Sequence, residues 1–237
     1  TELQNLLGEE KNTRSELQNL KQELSVKNRL VESQKKEKNT LLEETKNQET
    51  EYQKIISGIQ IRQAEIQKGI FELEDKLRGQ VSGMPKPRPG ALAWPMLGRI
   101  TQGYGPTSIT GFINGAYKFH NGIDIAAYYG TPIRTSLDGI VVAVGDNGKY
   151  AYGKWVAVKH SNGLTTLYAH FSAITVNTGK FVNQGDIIGY EGSTGFVTGP
   201  HLHFTVYSTN TFRVEKRWFG PLPLGGAPDP LRPLGKV

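Results

Sequence analysis

The chain has no cysteine, so it can build neither a disulfide framework nor a thiolate zinc site. No apolar run is long enough to span a bilayer, and the residues from Thr1 onward lack the basic and apolar regions of a signal peptide. The expectation is a mature chain from which any targeting segment has been removed. Up to Gln80 there is no proline, histidine or tryptophan, and Tyr52 and Phe71 are the only aromatics. That is the composition of long helix. An acidic excess is missing from the rest: of 28 Lys+Arg and 22 Asp+Glu, residues 1–80 hold 14 and 15, leaving 14 basic and 7 acidic beyond them. The basic character belongs to the C-terminal part, which will be drawn to polyanions such as nucleic acid, anionic lipid or cell-wall polymer. Its basic residues (Arg99, Arg134, Lys149, Lys154, Lys159, Lys180, Lys216, Arg217) are scattered. They form neither a clustered run nor a stacking platform, so nucleic acid is not an expected partner.

The composition divides the chain into a helical region, residues 1–80, a proline-rich linker, 81–90, and an all-β domain, 91–237. In the first, apolar residues fall at Leu17, Leu20, Leu24 and Val31, and again at Tyr52, Ile55, Ile59, Ile66, Leu73 and Leu77. Both stretches carry a heptad-like stripe. Ser33 to Thr40 between them is polar all round, which allows either a weak centre or a turn. A continuous helix here runs on the order of 110 Å and needs something to bury its stripe. A self-associated coiled coil, a hairpin folded near Lys36 to Asn39, or pairing with another segment would each do so. Gly58 and Gly69 each cost a helix about 0.5–1 kcal/mol relative to alanine, which suits an element able to move. Gly79 and Gly83 end the helix, and Met84 to Gly90, with prolines at alternate positions, is a semi-rigid spacer.

From Ala91 short runs at strand period alternate with glycine and asparagine turns. Arg99 to Gly103, Ile140 to Gly145, Lys154 to His160, Leu164 to His170, Ile187 to Glu191 and His201 to Tyr207 are the clearest strands. Asn162-Gly163 is a tight hairpin turn. The glycine-dense stretches Ile109 to Gly115 and Glu191 to Gly199 read as loops around a cleft. The tail from Arg213, rich in proline and glycine, is expected to be irregular.

Within the β domain, His201-Leu202-His203 places two imidazoles on one face of a strand. His120-Asn121-Gly122-Ile123-Asp124 adds an imidazole and a carboxylate, and Tyr168-Ala169-His170 adds another histidine at a strand end. Catalytic zinc takes three ligands from His, Asp or Glu and keeps one position open; His120, Asp124 and His203 can supply that set. No His-Glu-x-x-His motif occurs, so a glutamate base on that plan is excluded. His170 and His201 remain as candidates for general base and oxyanion partner, and spacing does not say which does which. His160 sits in a turn away from these motifs. A serine triad is disfavoured, since no Gly-x-Ser-x-Gly elbow occurs.

Gly103-Tyr104, His120 to Asp124, Tyr168 to His170 and Gly199 to His203, in that order, resemble the pattern of the lysostaphin or LytM-type peptidoglycan metalloendopeptidases. The resemblance covers residues 96–210. It implies an antiparallel β-sheet groove, with His120, Asp124 and His203 as zinc ligands and His170 and His201 as catalytic histidines. It also implies wall peptide as substrate and a place outside the cytoplasm, in the envelope or secreted. Thr205 departs from the glutamate that many relatives carry after His-Leu-His-Phe. It shares the histidines' face, where it bears on substrate polarity or on support of the ligands.

The expected activity is therefore zinc-dependent cleavage of peptide bonds in peptidoglycan during wall remodelling or division. The alternative is a non-hydrolytic scaffold or amidase activator, since some coiled-coil members of the family have lost their ligands. The complete ligand set here favours the enzyme. A further expectation is that the helical part docks near the cleft and blocks it until a membrane-bound regulator draws it away.

Overall fold

Strands in this chain form where branched and aromatic residues repeat at period two between turns that glycine closes. The computed structural model describes residues 2–78, 90–110 and 118–234. The chain divides into two compact units, residues 1–59 and 60–237. One helix, α1 (Glu2–Arg78), provides all of the first that is described and enters the second. It runs unbroken through Ser33 to Thr40, which removes the hairpin alternative. Lys, Glu and Gln hold five of its eight positions, and with neither glycine nor proline nothing there interrupts a helix. The expected helix stop, the proline-rich connector up to residue 89 and residues 111–115 of the first loop lie outside the described residues.

In the first unit Leu24, Val31, Leu41, Tyr52 and Ile55 are all exposed. Among the described residues no helix is long and apolar enough to cross a membrane.

The second unit adds β1 (Arg99–Gln102), β2 (Gly105–Pro106), α2 (Thr107–Thr110), β3 (Phe119–His120), β4 (Ile123–Ala126), β5 (Pro132–Arg134), β6 (Gly139–Asp146) and β7 (Lys154–His160). There follow β8 (Leu164–Ala169), β9 (Phe171–Ile174), β10 (Phe181–Val182), β11 (Ile187–Glu191), β12 (Leu202–Ser208), β13 (Arg213–Arg217), β14 (Gly220–Leu224) and α3 (Leu231–Leu234). Seven strands make an antiparallel sheet in the order β1-β4-β12-β8-β7-β6-β10. β5, β11 and β9 form a second sheet. The six strands read from the sequence are present within a residue or two at each end. The turn between β7 and β8 is closed by Gly163 at φ +82°, which a side chain would strain.

Alternation along the central strands sends two sets of residues to opposite faces. Val156, Val158, Tyr168, Phe204 and Val206 join Ile123, Ile125, Ile133, Phe171 and Ile188 in the main core. Trp155, Ala157, Leu167, Ala169 and Tyr207 face the other way, into a second cluster with Leu222, Leu224 and the helix residues Ile70 and Leu77. His203 and Thr205 lie on this second face, in step with Tyr207.

The tail is a correction. Arg213 onward is not irregular: β13 and β14 form an antiparallel hairpin, Arg213 opposite Leu224, and α3 follows. Pro221 and Pro223 lack an N–H, but β14 pairs on one side only, where proline is tolerated. The Pro221 carbonyl also accepts hydrogen bonds from Trp155 Nε1 at 3.1 Å and Asn147 Nδ2 at 2.9 Å, tying the hairpin to the sheet.

Candidate metal centre

Register brings the motifs together. On β12, His203 lies opposite Asp124 of β4 on one side and Ala169 of β8 on the other, so imidazole and carboxylate meet on one face. His120 ends β3, and the turn through Asn121-Gly122 returns the chain to Asp124. Glycine is required at 122, because a Cβ there would stand 2.5 Å from the Phe204 carbonyl oxygen and 2.8 Å from His203 Cε1. His170 directly follows β8 at φ +68°, a conformation uncommon for a residue with a Cβ and characteristic of functional positions. There its N–H donates to the Tyr152 carbonyl at 3.0 Å.

His120, Asp124 and His203 each direct one ligand atom into a space where all three lie within 4.8 Å of one another. Asp124 Oδ1 is 2.9 Å from His203 Nδ1 and 3.2 Å from His120 Nε2, and those two nitrogens are 3.0 Å apart. His120 Nδ1 donates to the Gly103 carbonyl at 2.8 Å, so in the neutral ring Nε2 carries the lone pair. His203 Nε2 pairs with Thr205 Oγ1 at 2.8 Å; donating there, it leaves the Nδ1 lone pair inward. Three buried, electron-rich atoms converging this closely need a cation or a shared proton between them. Two imidazoles and one carboxylate, each held from outside by an oxygen partner or a neighbour, fit zinc.

Charge follows the same geometry. Burial opposes ionisation of Asp124, but His120 and His203 outweigh it and hold the carboxyl well below its ordinary range. Burial pushes His120 down, and Asp124 more than compensates, leaving it raised. His203 is lowered, burial outweighing the same carboxylate.

His170 and His201 stand beside this cluster. Their rings are 4.8 Å apart between centroids, and that of His170 is 5.9 Å from that of His203. His170 Nδ1 donates to the Thr194 carbonyl at 2.7 Å and His201 Nδ1 to the Gly199 carbonyl at 2.8 Å. Each thereby presents the lone pair of Nε2; that of His201 is 3.7 Å from Asp124 Oδ2. Burial and the neighbouring His201 and His203 hold His170 well below its ordinary value, in the form that accepts a proton. The fifth histidine, His160, is buried elsewhere, its Nδ1 donating to the Asp138 carbonyl and its Nε2 hydrogen-bonded to Thr166 Oγ1.

The five residues open onto a cavity of ≈ 230 Å³ whose lining also includes Gln67, Ile70, Phe71 and Glu74 of α1. Glu74 is buried, and its Oε1 accepts hydrogen bonds from Asn121 Nδ2 at 2.6 Å, Tyr152 OH at 2.9 Å and Tyr207 OH at 3.4 Å. Burial raises its carboxyl to about 7 despite these donors and Arg78. The Arg78 guanidinium in turn lies 3.5 Å over the ring of Phe119, next to His120. Sequence reasoning passed over Glu74, Asn121, Tyr152 and Tyr207. A glutamate among the many acids of a charged helix gives no signal. Asn121 lay inside a motif already singled out, where its side chain could have been asked for a role.

The sequence model described as Peptidase family M23 matches residues 118–214, a span containing all five residues. The DD-carboxypeptidase/endopeptidase Mpg of Neisseria meningitidis is 49% identical over 88 residues, covering 37% of this chain and 20% of that protein. Peptidoglycan DD-endopeptidase ShyA of Vibrio cholerae is 49% identical over 85 residues, 36% of this chain and 19% of that protein. Cell division protein DipM of Caulobacter vibrioides is 37% identical over 132 residues, 56% of this chain and 20% of that protein. The chain thus spans about a fifth of the length of these relatives.

Proposed function

Since residues 118–214 match peptidase family M23, we propose that the chain is a zinc-dependent endopeptidase that cuts peptide bonds in bacterial peptidoglycan during wall remodelling or division. The observation that carries this reading is the convergence of His120, Asp124 and His203 ligand atoms within 4.8 Å, with two further imidazoles facing the same cavity. The names of the relatives, two endopeptidases and a cell division protein, support it. In this reading the chain acts outside the cytoplasm, and the peptidase domain, residues 91–237, follows the helical region across the linker at 81–90.

His120, Asp124 and His203 hold the ion. Zinc bound there supplies a Lewis acid that polarises the scissile carbonyl and makes water acidic enough to attack near neutral pH. The protein's own part is proton management. His170 Nε2, kept neutral by burial, takes a proton from the attacking water. His170 then passes that proton to the leaving amine as the C–N bond of the tetrahedral intermediate breaks, while His201, its Nε2 3.7 Å from Asp124 Oδ2, is the partner of the oxyanion. Thr205 keeps the His203 ring turned so that Nδ1 faces inward.

The end of α1 closes the cavity. In this reading Phe71 and Glu74, which line the cavity, stand where a peptide must enter, and displacement of residues 60–78 opens the site. A membrane-held regulator that grips the exposed apolar positions of α1 fits this role. Elemental analysis of the full chain, with mass spectrometry of peptidoglycan fragments, tests the reading. About one zinc per chain and new peptide ends are expected. Zinc without new ends, in the Glu74→Ala chain as in the unaltered one, would favour a binding module instead.

A further inference from the structure

Packing alone does not explain Glu74. Its neighbours on the buried stripe are Ile70 and Leu77, and an apolar residue at 74 would cover the sheet without taking a carboxyl out of water. The three donors that meet it all belong to the β domain: Asn121 from the β3–β4 turn, Tyr152 from the β6–β7 turn and Tyr207 from β12. They form a unit before the helix is considered. Asn121 Nδ2 lies 2.9 Å from Tyr152 OH and 3.5 Å from Tyr207 OH, and the two hydroxyls are 3.4 Å apart. All three side chains are buried, and all three are aimed at one oxygen, Glu74 Oε1. The unit adjoins the candidate metal centre: Asn121 follows His120 directly, and the Tyr152 ring is 5.5 Å from that of His203. With α1 in place the donors are satisfied. With α1 displaced, they face the cavity lacking the acceptor they are arranged around, at a place where a bound peptide must pass.

We infer that Asn121, Tyr152 and Tyr207 are a carboxyl-binding subsite of the cleft, filled here by Glu74 as an internal substitute and open to a free carboxyl group of the peptide substrate once the helix end leaves. This rests on the peptidase reading and adds to it a chemical preference. The substrate carries a free carboxyl near the scissile bond, and the helix shuts the site by imitating that group as well as by bulk. The donors are neutral and converge on one oxygen, which a carboxamide also offers, so the subsite prefers the carboxylate through the greater strength of hydrogen bonds to a charged oxygen rather than through their number.

The test is calorimetric titration of the full chain, zinc removed so that no probe is drawn to the metal, with N-acetyl-D-alanyl-D-alanine and its C-terminal amide. The Glu74→Ala chain is expected to bind the acid at least about tenfold more tightly than the amide, the scale of one hydrogen bond to a charged group. Adding Tyr152→Phe should bring the two within about threefold, and the unaltered chain should bind the acid at least about tenfold more weakly than the Glu74→Ala chain. Equal binding of acid and amide by the Glu74→Ala chain, or a preference that survives Tyr152→Phe, would overturn the inference. Glu74→Ser, which also removes the oxygen that fills the subsite, gives the same comparison should the alanine variant not fold. No hydrolysis enters this measurement. A lost preference therefore sinks the subsite alone, whereas a retained preference with no cleavage by zinc-loaded protein sinks the peptidase reading.

Discussion

Two stretches of the same helix meet different fates. Tyr52 and Ile55 repeat at helical spacing and are 63% and 53% exposed, whereas Ile70 and Leu77, five turns further along, are each 6% exposed. Composition does not distinguish them, since Lys, Glu and Gln surround both. The difference lies in what the second stretch finds: a sheet face of Trp155, Ala157, Leu167 and Tyr207, and three donors for Glu74. A stripe states which residues seek a partner, and the β domain decides which of them obtain one. The buried stretch gives up conformational freedom for that partner, and in doing so it takes the space beside the candidate catalytic residues.

The comparison breaks most completely if the space under residues 60–78 is no metal centre. His203→Ala is expected to reduce zinc from about one per chain to near none and to lower peptide release by more than about 100-fold, beyond the 10–100-fold attached to outer partners of a metal ligand. Metal analysis and fragment counting check it. Contrasting two isoleucines sharpens it next. Ile70→Ala should weaken docking of the helix end by about 2–4 kcal/mol, seen as faster hydrogen exchange over residues 60–78. Ile55→Ala should change stability by no more than about 0.5 kcal/mol. Equal effects would mean that burial at Ile70 contributes nothing to closure.

Proton linkage gives a third handle. The Glu74 carboxyl is raised from 4.5 to about 7 by burial, against Tyr152, Asn121, Tyr207 and Arg78, which all lower it. Below pH 4.5 it is neutral whether the helix is docked or free, and closure is strongest. Between 4.5 and 7 the docked state binds the extra proton, so closure weakens as pH rises. Above 7 the carboxyl is ionised in both states and the weakening is complete, on the order of 3 kcal/mol. Exchange protection of residues 60–78 should fall across that window in the unaltered chain and stay flat in Glu74→Gln. A smaller loss of function belongs to Thr205→Val, which removes the partner of His203 Nε2. Zinc affinity should drop about tenfold, with recovery in Thr205→Ser, measured by competition with a chelator.

Much of this was legible before the structure. Period-two runs fixed the six main strands, and the spacing of His120, Asp124, His170, His201 and His203 pointed to a shared site because strand direction alternates residue by residue. The structure does bring those five side chains to one cavity. The tail was misread because Pro221 and Pro223 argue against a strand, and a sequence does not show that β14 pairs on one side only. Glu74 stayed hidden for a different reason. Its surroundings are assembled from positions 121, 152 and 207, which are remote in the chain, and no local pattern encodes three donors converging on one carboxyl. The exposure of Tyr52 and Ile55 was equally out of reach, since periodicity carries no account of where a partner ends.

The most direct measurement is mass spectrometry of peptidoglycan incubated with the zinc-loaded Glu74→Ala chain beside the unaltered one. New amino and carboxyl ends within the wall peptides are predicted, appearing faster with the variant. Peptides left intact by both proteins, each carrying its zinc, would contradict the account.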